Sequence, residues 1–235
     1  MRHRLLILLV ITLGMSVGAL GQVSDSAVGQ ERAAAAGQVS VEPSACSNSP
    51  YFAVHELSDS VFQRMQGKSY PKGCTVKRTD LRYLTVLHVD AEGNVHRGEL
   101  VCNRLIAQDV LDIFKQLYMA RYPIQCMRLI DDYGADDERS MQANNTSGFC
   151  YRAVSGSQKL SKHAQGLAID INPLYNPCVK GAHVQPSTGR RYVDRRSKFN
   201  YKIERGDLLW RLFTERGFRW GGTWRSLKDY QHFEK

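Results

Sequence analysis

Two short stretches of the sequence place histidines and carboxylates at spacings that suit metal chemistry. In SKHAQGLAIDIN, which covers residues 161–172, His163 is followed seven residues later by Asp170. Near the end of the chain, DYQHF places Asp229 three residues before His232. Two histidines and one carboxylate are a common ligand set for catalytic zinc, which keeps a fourth position for water. These residues predict a hydrolytic zinc site, although the spacing alone also fits ordinary polar residues.

The residues around Asp170 predict how its carboxylate is presented. Three apolar residues alternate with smaller or polar ones, as in a strand with one buried face: Leu167, Ile169 and Ile171. Asp170 would then point across a cleft, where an ionised carboxylate needs a cation or several hydrogen-bond donors. His163, one loop earlier, could share that cation, and His232 could be a third ligand. Asp229 could then reach a metal-bound water.

Other segments predict the elements that must hold these residues. LRYLTVLHVD and VHRGELVCN flank the polar turn AEGN and predict a β-hairpin. Apolar residues at helical spacing over 105–117 predict a helix capped by Asn103, and GDLLWRLFTERGF predicts a last helix from near Asp207 to near Gly217. IQCMRLI and FCYRAV predict strands, and residues 132–148 predict a polar loop. The mixture predicts an α+β domain with a small, mainly antiparallel sheet and flanking helices.

Both motifs resemble those of a known peptidase family. SKHAQGLAID is similar to the Ser-x-His-x6-Asp motif of the VanY-like zinc D-Ala-D-Ala peptidases, and DYQHFE is similar to their Asp/Glu-x-x-His motif. This group belongs to the LAS superfamily, with L-alanyl-D-glutamate endopeptidases and the Hedgehog signalling domain. GKSYP, DLRYL, DDYGADDERSMQANNTSGFCYR and INPLYNP extend the resemblance over roughly residues 55–235. It implies an LAS/Hedgehog-type fold with a zinc site in a cleft.

The resemblance also implies roles for individual residues. His163, Asp170 and His232 match the positions that bind Zn²⁺ in this family. Asp229 matches the general base. A carboxylate at that place could take a proton from the attacking water and later pass it to a leaving amine.

Two further residues match family positions near the substrate. Arg152 matches an arginine that binds substrate and steadies negative charge on the scissile carbonyl, and a guanidinium near zinc would favour an oxyanion. An alternative for Arg152 is a salt bridge to the acidic loop Asp131–Glu138. Ser161 matches the motif serine, which either hydrogen-bonds substrate or shapes the turn.

These features together favour one function over two alternatives. We expect a zinc metallopeptidase acting on peptidoglycan stem peptides, with D-alanyl-D-alanine carboxypeptidase as the favoured activity. An L-alanyl-D-glutamate endopeptidase of the cell wall would use the same zinc residues. A non-catalytic zinc-bearing binding module is the third possibility, and the presence of Asp229 argues against it, because a structural site needs no base.

The ends and the charge of the chain indicate where it works. Residues 1–21 read as a cleavable signal peptide, residues 22–50 as a flexible linker and residues 51–235 as the peptidase domain. We expect a periplasmic or secreted protein with no stable membrane insertion after cleavage. Removing the leader lowers the formal net charge from +9 to +7, which suits a polyanionic setting such as the cell wall. No nucleic-acid-binding motif is present in the sequence, so we expect no nucleic-acid partner.

The cysteines predict an oxidising compartment. The sequence has six of them, Cys46, Cys74, Cys102, Cys126, Cys150 and Cys178, and no two lie closer than 24 residues. That spacing excludes a Cys-x-x-Cys metal or redox motif. An even number in an exported chain predicts up to three disulfides and no free thiol, although sequence does not choose among the fifteen possible pairings.

Overall fold

The structure, a computed structural model, describes residues 51–154 and 157–235. The predicted signal peptide at 1–21 and linker at 22–50 lie outside the described residues. Four α-helices are present in the described part: α1 (Asp59–Met65), α2 (Ala107–Met119), α3 (Asp137–Gln142) and α4 (Leu208–Glu215). The strands there are β1 (Ala53–Glu56), β2 (Leu81–Val89), β3 (Val95–Asn103), β4 (Cys126–Met127), β5 (Asn145–Thr146), β6 (Ala168–Asp170), β7 (Cys178–Lys180), β8 (His183–Gln185), β9 (Arg219–Trp220), β10 (Lys228–Asp229) and β11 (His232–Glu234).

The predicted hairpin is the centre of the first sheet. Strands β2 and β3 pair antiparallel over nine residues, from Leu81 opposite Asn103 to Val89 opposite Val95, and β1 adds to the free edge of β2. Gly93 lies in the turn with a φ of +85°, a conformation that glycine adopts without steric cost. The hairpin prediction is confirmed.

Helix α2 covers one face of this sheet with a stripe of apolar side chains. Val110, Ile113, Phe114 and Leu117 recur at helical spacing and are all buried in the core, next to residues such as Leu84 of the hairpin. The predicted cap was wrong. The helix begins after Ile106, which makes no side-chain cap. Asn103 instead accepts a hydrogen bond from the amide of Leu105 and so closes the turn before the helix.

The last helix forms where it was predicted. Asp207 is its N-cap, and its Oδ1 accepts a hydrogen bond of 2.6 Å from the amide of Trp210. The helix ends at Glu215, two residues before Gly217, which has a φ of +82°. Leu209, Leu212 and Phe213 bury its apolar face in the same core as α2.

The middle of the chain corrects three predictions. Residues 132–148 are not a continuous loop, because Asp136 caps α3 by accepting from the amide of Arg139, and β5 follows. Of the strand predicted for IQCMRLI, only the two residues of β4 are in a strand. FCYRAV forms no strand beyond an isolated bridge at Ala153, because its amides pair with separate partners, as when Phe149 donates to the carbonyl of Val101.

The strands form several small sheets rather than one. Two further three-stranded sheets have the orders β6-β11-β9 and β10-β7-β8, and β4 pairs with β5 in parallel. All other strand pairs in the described residues are antiparallel. The α+β class and the antiparallel character are therefore confirmed, while the single sheet is replaced by small sheets with few helices.

The cysteines do not form the expected disulfides. All five cysteines in the described residues are free thiols, and Cys46 lies outside those residues. Each thiol has its own surroundings: Cys102 is fully buried in the core below α2, and the thiol of Cys126 lies 3.5 Å from the side-chain oxygen of Asn145. The prediction that no thiol is free is wrong for the described part of the chain.

All described residues belong to one compact unit. No helix among them is long and apolar enough to cross a membrane.

Candidate metal centre

The two sequence motifs meet on adjacent strands. Strands β6 and β11 pair antiparallel, and this register places His232 directly opposite Asp170. Directly opposed residues of an antiparallel pair have neighbouring Cβ atoms, so both side chains leave the sheet together. His163 lies in the 3-10 turn His163–Gln165 that leads into β6. The turn closes at Gly166, whose φ of +68° favours glycine.

Three ligand atoms face one point. The Nε2 atom of His163 lies 3.1 Å from Oδ2 of Asp170, and Nδ1 of His232 lies 3.0 Å from Oδ1 of the same carboxylate. The two imidazole nitrogens are 3.2 Å apart. One ligand atom from each residue lies within 4.8 Å of the others, and all three residues are buried. Such a set fits a small divalent cation.

The backbone fixes which nitrogen of His163 faces the cluster. Its Nδ1 lies 2.7 Å from the carbonyl oxygen of Gly148, so Nδ1 carries the proton and donates it. Nε2 then turns its lone pair to the cluster. A Cβ atom at Gly148 would approach the carbonyl oxygen of Val101 to 2.3 Å, so only glycine permits this close packing.

A second carboxylate supports His232 from behind. Its Nε2 lies 3.3 Å from Oε2 of Glu234, whose other oxygen accepts a hydrogen bond of 2.6 Å from Arg219. Strand register explains the second contact, because Glu234 of β11 lies opposite Arg219 of β9. A carboxylate on the far nitrogen of a metal-binding histidine orients the ring and makes it a more basic ligand.

The electrostatics of the cluster favour positive charge at its centre. Burial opposes ionisation of Asp170, but His163 and His232 outweigh it and lower the pKa of the carboxyl. For His232, burial opposes the charged ring, but hydrogen bonds to Asp170 and Glu234 raise its pKa to about 10. Positive charge between these three groups is what a divalent cation supplies, so the residues fit a metal.

Asp229 lies beside the cluster but on a different sheet. It is in β10, opposite Cys178 of β7. Burial, together with the charge of Asp170, raises the pKa of Asp229 to about 6, although His232 opposes the shift. Its Oδ1 is buried and has no hydrogen-bond partner in the described residues. A buried, unpaired carboxylate oxygen with a pKa near neutrality suits proton transfer.

Close backbone packing holds Asp229 in place. A Cβ atom at Gly221 would come within 2.7 Å of the carbonyl oxygen of Asp229 and within 2.8 Å of its Cβ. Gly221 therefore lets one chain segment lie directly against the one that carries Asp229.

Arg152 forms the salt bridge that the sequence offered as an alternative to a substrate-binding role. Its Nε pairs with the carboxylate of Asp137, in the first turn of α3, which agrees with the salt-bridge alternative. Arg152 and Asp137 also line the same cavity as the three clustered residues. Burial raises the pKa of Asp137, although Arg152 opposes this shift. The ion pair therefore holds the guanidinium at the wall of the cavity.

Ser161 shapes the turn before the cluster. Its Oγ accepts a hydrogen bond of 3.1 Å from the amide of Ala164, and its own amide donates to the carbonyl of Arg152. It is buried at 6% exposure and also lines the cavity. The first contact favours the turn-shaping alternative, and the second ties the His163 turn to the segment of Arg152.

A cavity of about 680 Å³ opens onto these groups. The cluster, Asp229 and Arg152 lie on its inner wall, and the β7–β8 hairpin with Trp224 and Leu227 forms another part of its lining. The volume lies within the range of small-molecule sites. The cavity is therefore large enough for a small ligand next to the cluster.

Sequence reasoning missed several residues of this site. Glu234 lies inside the quoted DYQHFE motif, so its position next to His232 was available, but only the strand register shows that it supports the ring. Asp137 was one of several acids in a predicted loop. Gly148 carried no sequence signal, because its role depends on the approach of a distant strand.

The cluster, the neighbouring carboxyl group and the cavity define a candidate metal-dependent hydrolase site. Residues 155–235, about a third of the chain, match the sequence model of a peptidase family described as D-alanyl-D-alanine carboxypeptidase. The matched segment includes the three clustered residues and Asp229 and leaves out Arg152. Over these residues the match confirms the resemblance, and it supports a metallopeptidase. Searches of curated proteins and of solved structures returned no match to this chain.

Proposed function

We propose that the protein is an exported zinc-dependent peptidase that removes the terminal D-alanine from peptidoglycan stem peptides ending in D-Ala-D-Ala. The observation that carries this proposal is the convergence of His163, Asp170 and His232 next to Asp229. The family match over residues 155–235 supports the same chemistry. Export rests on the leader at residues 1–21.

Zinc would be held by Nε2 of His163, the carboxylate of Asp170 and Nδ1 of His232. When bound, the ion supplies Lewis acidity and brings the pKa of a coordinated water near neutrality. Two hydrogen-bond partners orient the histidines as ligands, namely the Gly148 carbonyl on His163 and the Glu234 carboxylate on His232. Both leave a nitrogen facing the carboxylate of Asp170.

Asp229 moves the proton in the proposed reaction. Its carboxylate accepts a proton from the attacking water as the oxygen bonds to the scissile carbonyl carbon. It then gives that proton to the departing amine, so the C–N bond breaks and free D-alanine leaves. A pKa of about 6 makes Asp229 largely ionised at neutral pH and still able to exchange a proton readily.

Arg152 stabilises charge on the substrate. As water attacks, negative charge develops on the carbonyl oxygen, and a guanidinium in a buried site stabilises it strongly. The ion pair with Asp137 sets the direction of the guanidinium before substrate arrives. Because the guanidinium is already positioned, it needs little reorganisation when the charge develops.

Digestion of a defined muropeptide tests the proposal. The purified protein with added zinc should remove one alanine from a pentapeptide substrate, seen as the loss of one alanine residue by mass spectrometry. A chelator or the His163→Ala variant should abolish this product. Cleavage at the L-Ala–D-Glu bond would replace the proposal with the endopeptidase, and zinc binding without any cleavage would replace it with the binding module.

A further inference from the structure

The β7–β8 hairpin presents a polar face next to the proposed base. Register places Cys178 between Asp229 of β10 and Gln185 of β8, so the three lie in one row across the sheet. Lys180 and His183 form another pair of that register, two residues along from Cys178 and Gln185. Side chains alternate along a strand, so Lys180 shares the face of Cys178. All five residues line the cavity of the metal cluster.

The other face of the hairpin has a different character. Val179 lies opposite Val184, and Val184 is buried at 6% exposure. Lys228 lies opposite Val179 and is absent from the lining of the cavity. The valines anchor the hairpin and leave Lys180 and His183 exposed on the cavity face.

Lys180 is close enough to the proposed base, Asp229, to contact the substrate residue that follows the scissile bond. It is two positions from Cys178, which corresponds to about 6.7 Å along the strand, and the neighbouring strand lies about 5 Å away. Its Cα is therefore about 8 Å from that of Asp229, within the reach of a flexible four-carbon side chain. A peptide residue spans about 3.5 Å, so the carboxylate of the residue after the scissile bond comes within range.

Lys180 differs from the other lysine and the arginine of the cavity lining in having no partner for its charge within the described part of the chain. Arg152 is paired with Asp137, and the ammonium of Lys162 donates to the carbonyl oxygen of Lys235 at 3.2 Å. Among the described residues, Lys180 has neither an ion pair nor a hydrogen bond from its side chain. It is the lysine or arginine of the cavity lining that remains available to an anionic group.

We propose that Lys180 binds the free α-carboxylate of the residue that follows the scissile bond and thereby makes the site select peptide ends. This inference rests on the proposed function and deepens it. Water adds across the amide, its hydroxyl going to the carbonyl carbon and its proton to the departing nitrogen. The released D-alanine keeps its carboxylate on Lys180 until it leaves.

A pair of peptides that differ only at the C-terminus tests this role. One ends in D-Ala-D-Ala with a free acid, and the other ends in the same sequence as a carboxamide. A hydrogen bond to a charged group is worth a factor of about ten to a hundred, so the wild type should prefer the acid by that factor in kcat/KM. In Lys180→Ala the ratio should fall towards one, whereas Lys180→Arg should keep most of it. The matched control, Lys228→Ala, should keep the wild-type ratio.

The outcomes separate this inference from the function on which it rests. If the wild type cleaves both peptides and Lys180→Ala retains the acid preference, the role of Lys180 is wrong and the peptidase remains. If the wild type with zinc cleaves neither peptide, the carboxypeptidase proposal fails and takes the role of Lys180 with it. A reversed preference in Lys180→Glu, with the amide now favoured, would support a direct charge contact.

Discussion

The framework, which is the β2–β3 hairpin with α2, and the candidate metal centre differ in the length of their strands and in the kind of side chains they bury. In the framework, β2 and β3 run for nine residues each and face α2 through a continuous apolar core. Around the metal centre, strands are two or three residues long, and the buried side chains include His163, Asp170 and His232. The framework is stabilised mainly by buried apolar area, whereas the positions of the three clustered side chains depend on individual polar contacts.

Asn172 shows how the two regions are joined. It lies two residues after the end of β6, is fully buried and has a φ of +46°. Its side chain accepts from the amide of Gln125 and donates to the carbonyl of Pro123, which lie just beyond α2. The strand that carries Asp170 is thus attached to the framework by hydrogen bonds as well as by the apolar packing of Ile169 and Ile171 in the same core. The difference implies that substitutions in one region should affect stability and those in the other should affect chemistry.

The largest expected effect is a loss of turnover at the candidate metal centre without a loss of stability. Asp229→Asn removes the proposed proton acceptor and retains the three proposed metal ligands, so kcat should fall by about a hundredfold to ten-thousandfold. Zinc content by metal analysis and the melting temperature should stay close to wild type. Asp194→Asn, at an exposed carboxylate paired with Arg196, is the control and should keep full activity. Normal turnover in Asp229→Asn would end its assignment as the base.

A large effect on stability is expected in the framework. Phe114 is 1% exposed in the core under α2, so Phe114→Ala should lower the free energy of unfolding by about 3–5 kcal/mol. Met119→Ala, at a position of the same helix that is 55% exposed, should change it by less than about 0.5 kcal/mol. Denaturant unfolding measures both. Equal losses in the two variants would contradict the packing of α2 described above.

A pH effect on stability is expected from a framework histidine. Burial lowers the pKa of His88 to about 4, although a hydrogen bond of 2.7 Å to the carbonyl of Ile124 opposes the shift. Between its unfolded pKa of 6.5 and about 4, the unfolded chain binds a proton that the folded chain does not. Stability should therefore fall by up to about 3 kcal/mol as the pH is lowered through this window.

Two variants isolate the contribution of His88. His88→Gln should flatten the dependence of the unfolding free energy between pH 7 and pH 4.5, because the titrating group is gone. His55→Gln, at an exposed position of β1, should leave the wild-type slope. If all three proteins lose stability equally, the buried neutral state of His88 is wrong.

The smallest expected effect concerns the support of the metal centre. Glu234→Gln replaces the carboxylate next to Nε2 of His232 with a neutral amide, so zinc affinity should fall by about tenfold to a hundredfold. Competition with a chromophoric chelator measures the affinity independently of activity. Glu56→Gln, at an exposed position of β1, is the control. A purely structural role for Glu234 would lower the melting temperature and leave the zinc affinity unchanged.

The sequence predicted elements whose signals are local. The hairpin of residues 81–103 and the stripe of α2 follow from alternation and helical spacing, and Asp207 carried a cap signal for α4. The clustering of His163, Asp170 and His232 followed from two motifs and a resemblance. The hairpin and the helices needed no knowledge of which distant segments meet, whereas for the cluster the resemblance supplied it.

The predictions that failed depended on distant contacts. FCYRAV has a strand-like composition, but its amides bond to separate partners such as Val101 and Ser69. Asn103 has the right chemistry for a helix cap, yet the helix begins later and its side chain closes the preceding turn. The disulfide prediction used the number of cysteines, whereas pairing needs thiols to meet in space.

Tyr230 and Gln231 are all that separate Asp229 on β10 from His232 on β11, and these strands belong to two different sheets. The proposed proton acceptor therefore belongs to the sheet of the β7–β8 hairpin, and His232 belongs to the sheet that carries Asp170. A displacement of the β7–β8 hairpin would reach Asp229 through the pairing of β7 with β10. His232 is held by the pairing of β11 with β6 and β9. Under the proposed function, a peptide end bound at the hairpin would therefore act on Asp229 more directly than on His232.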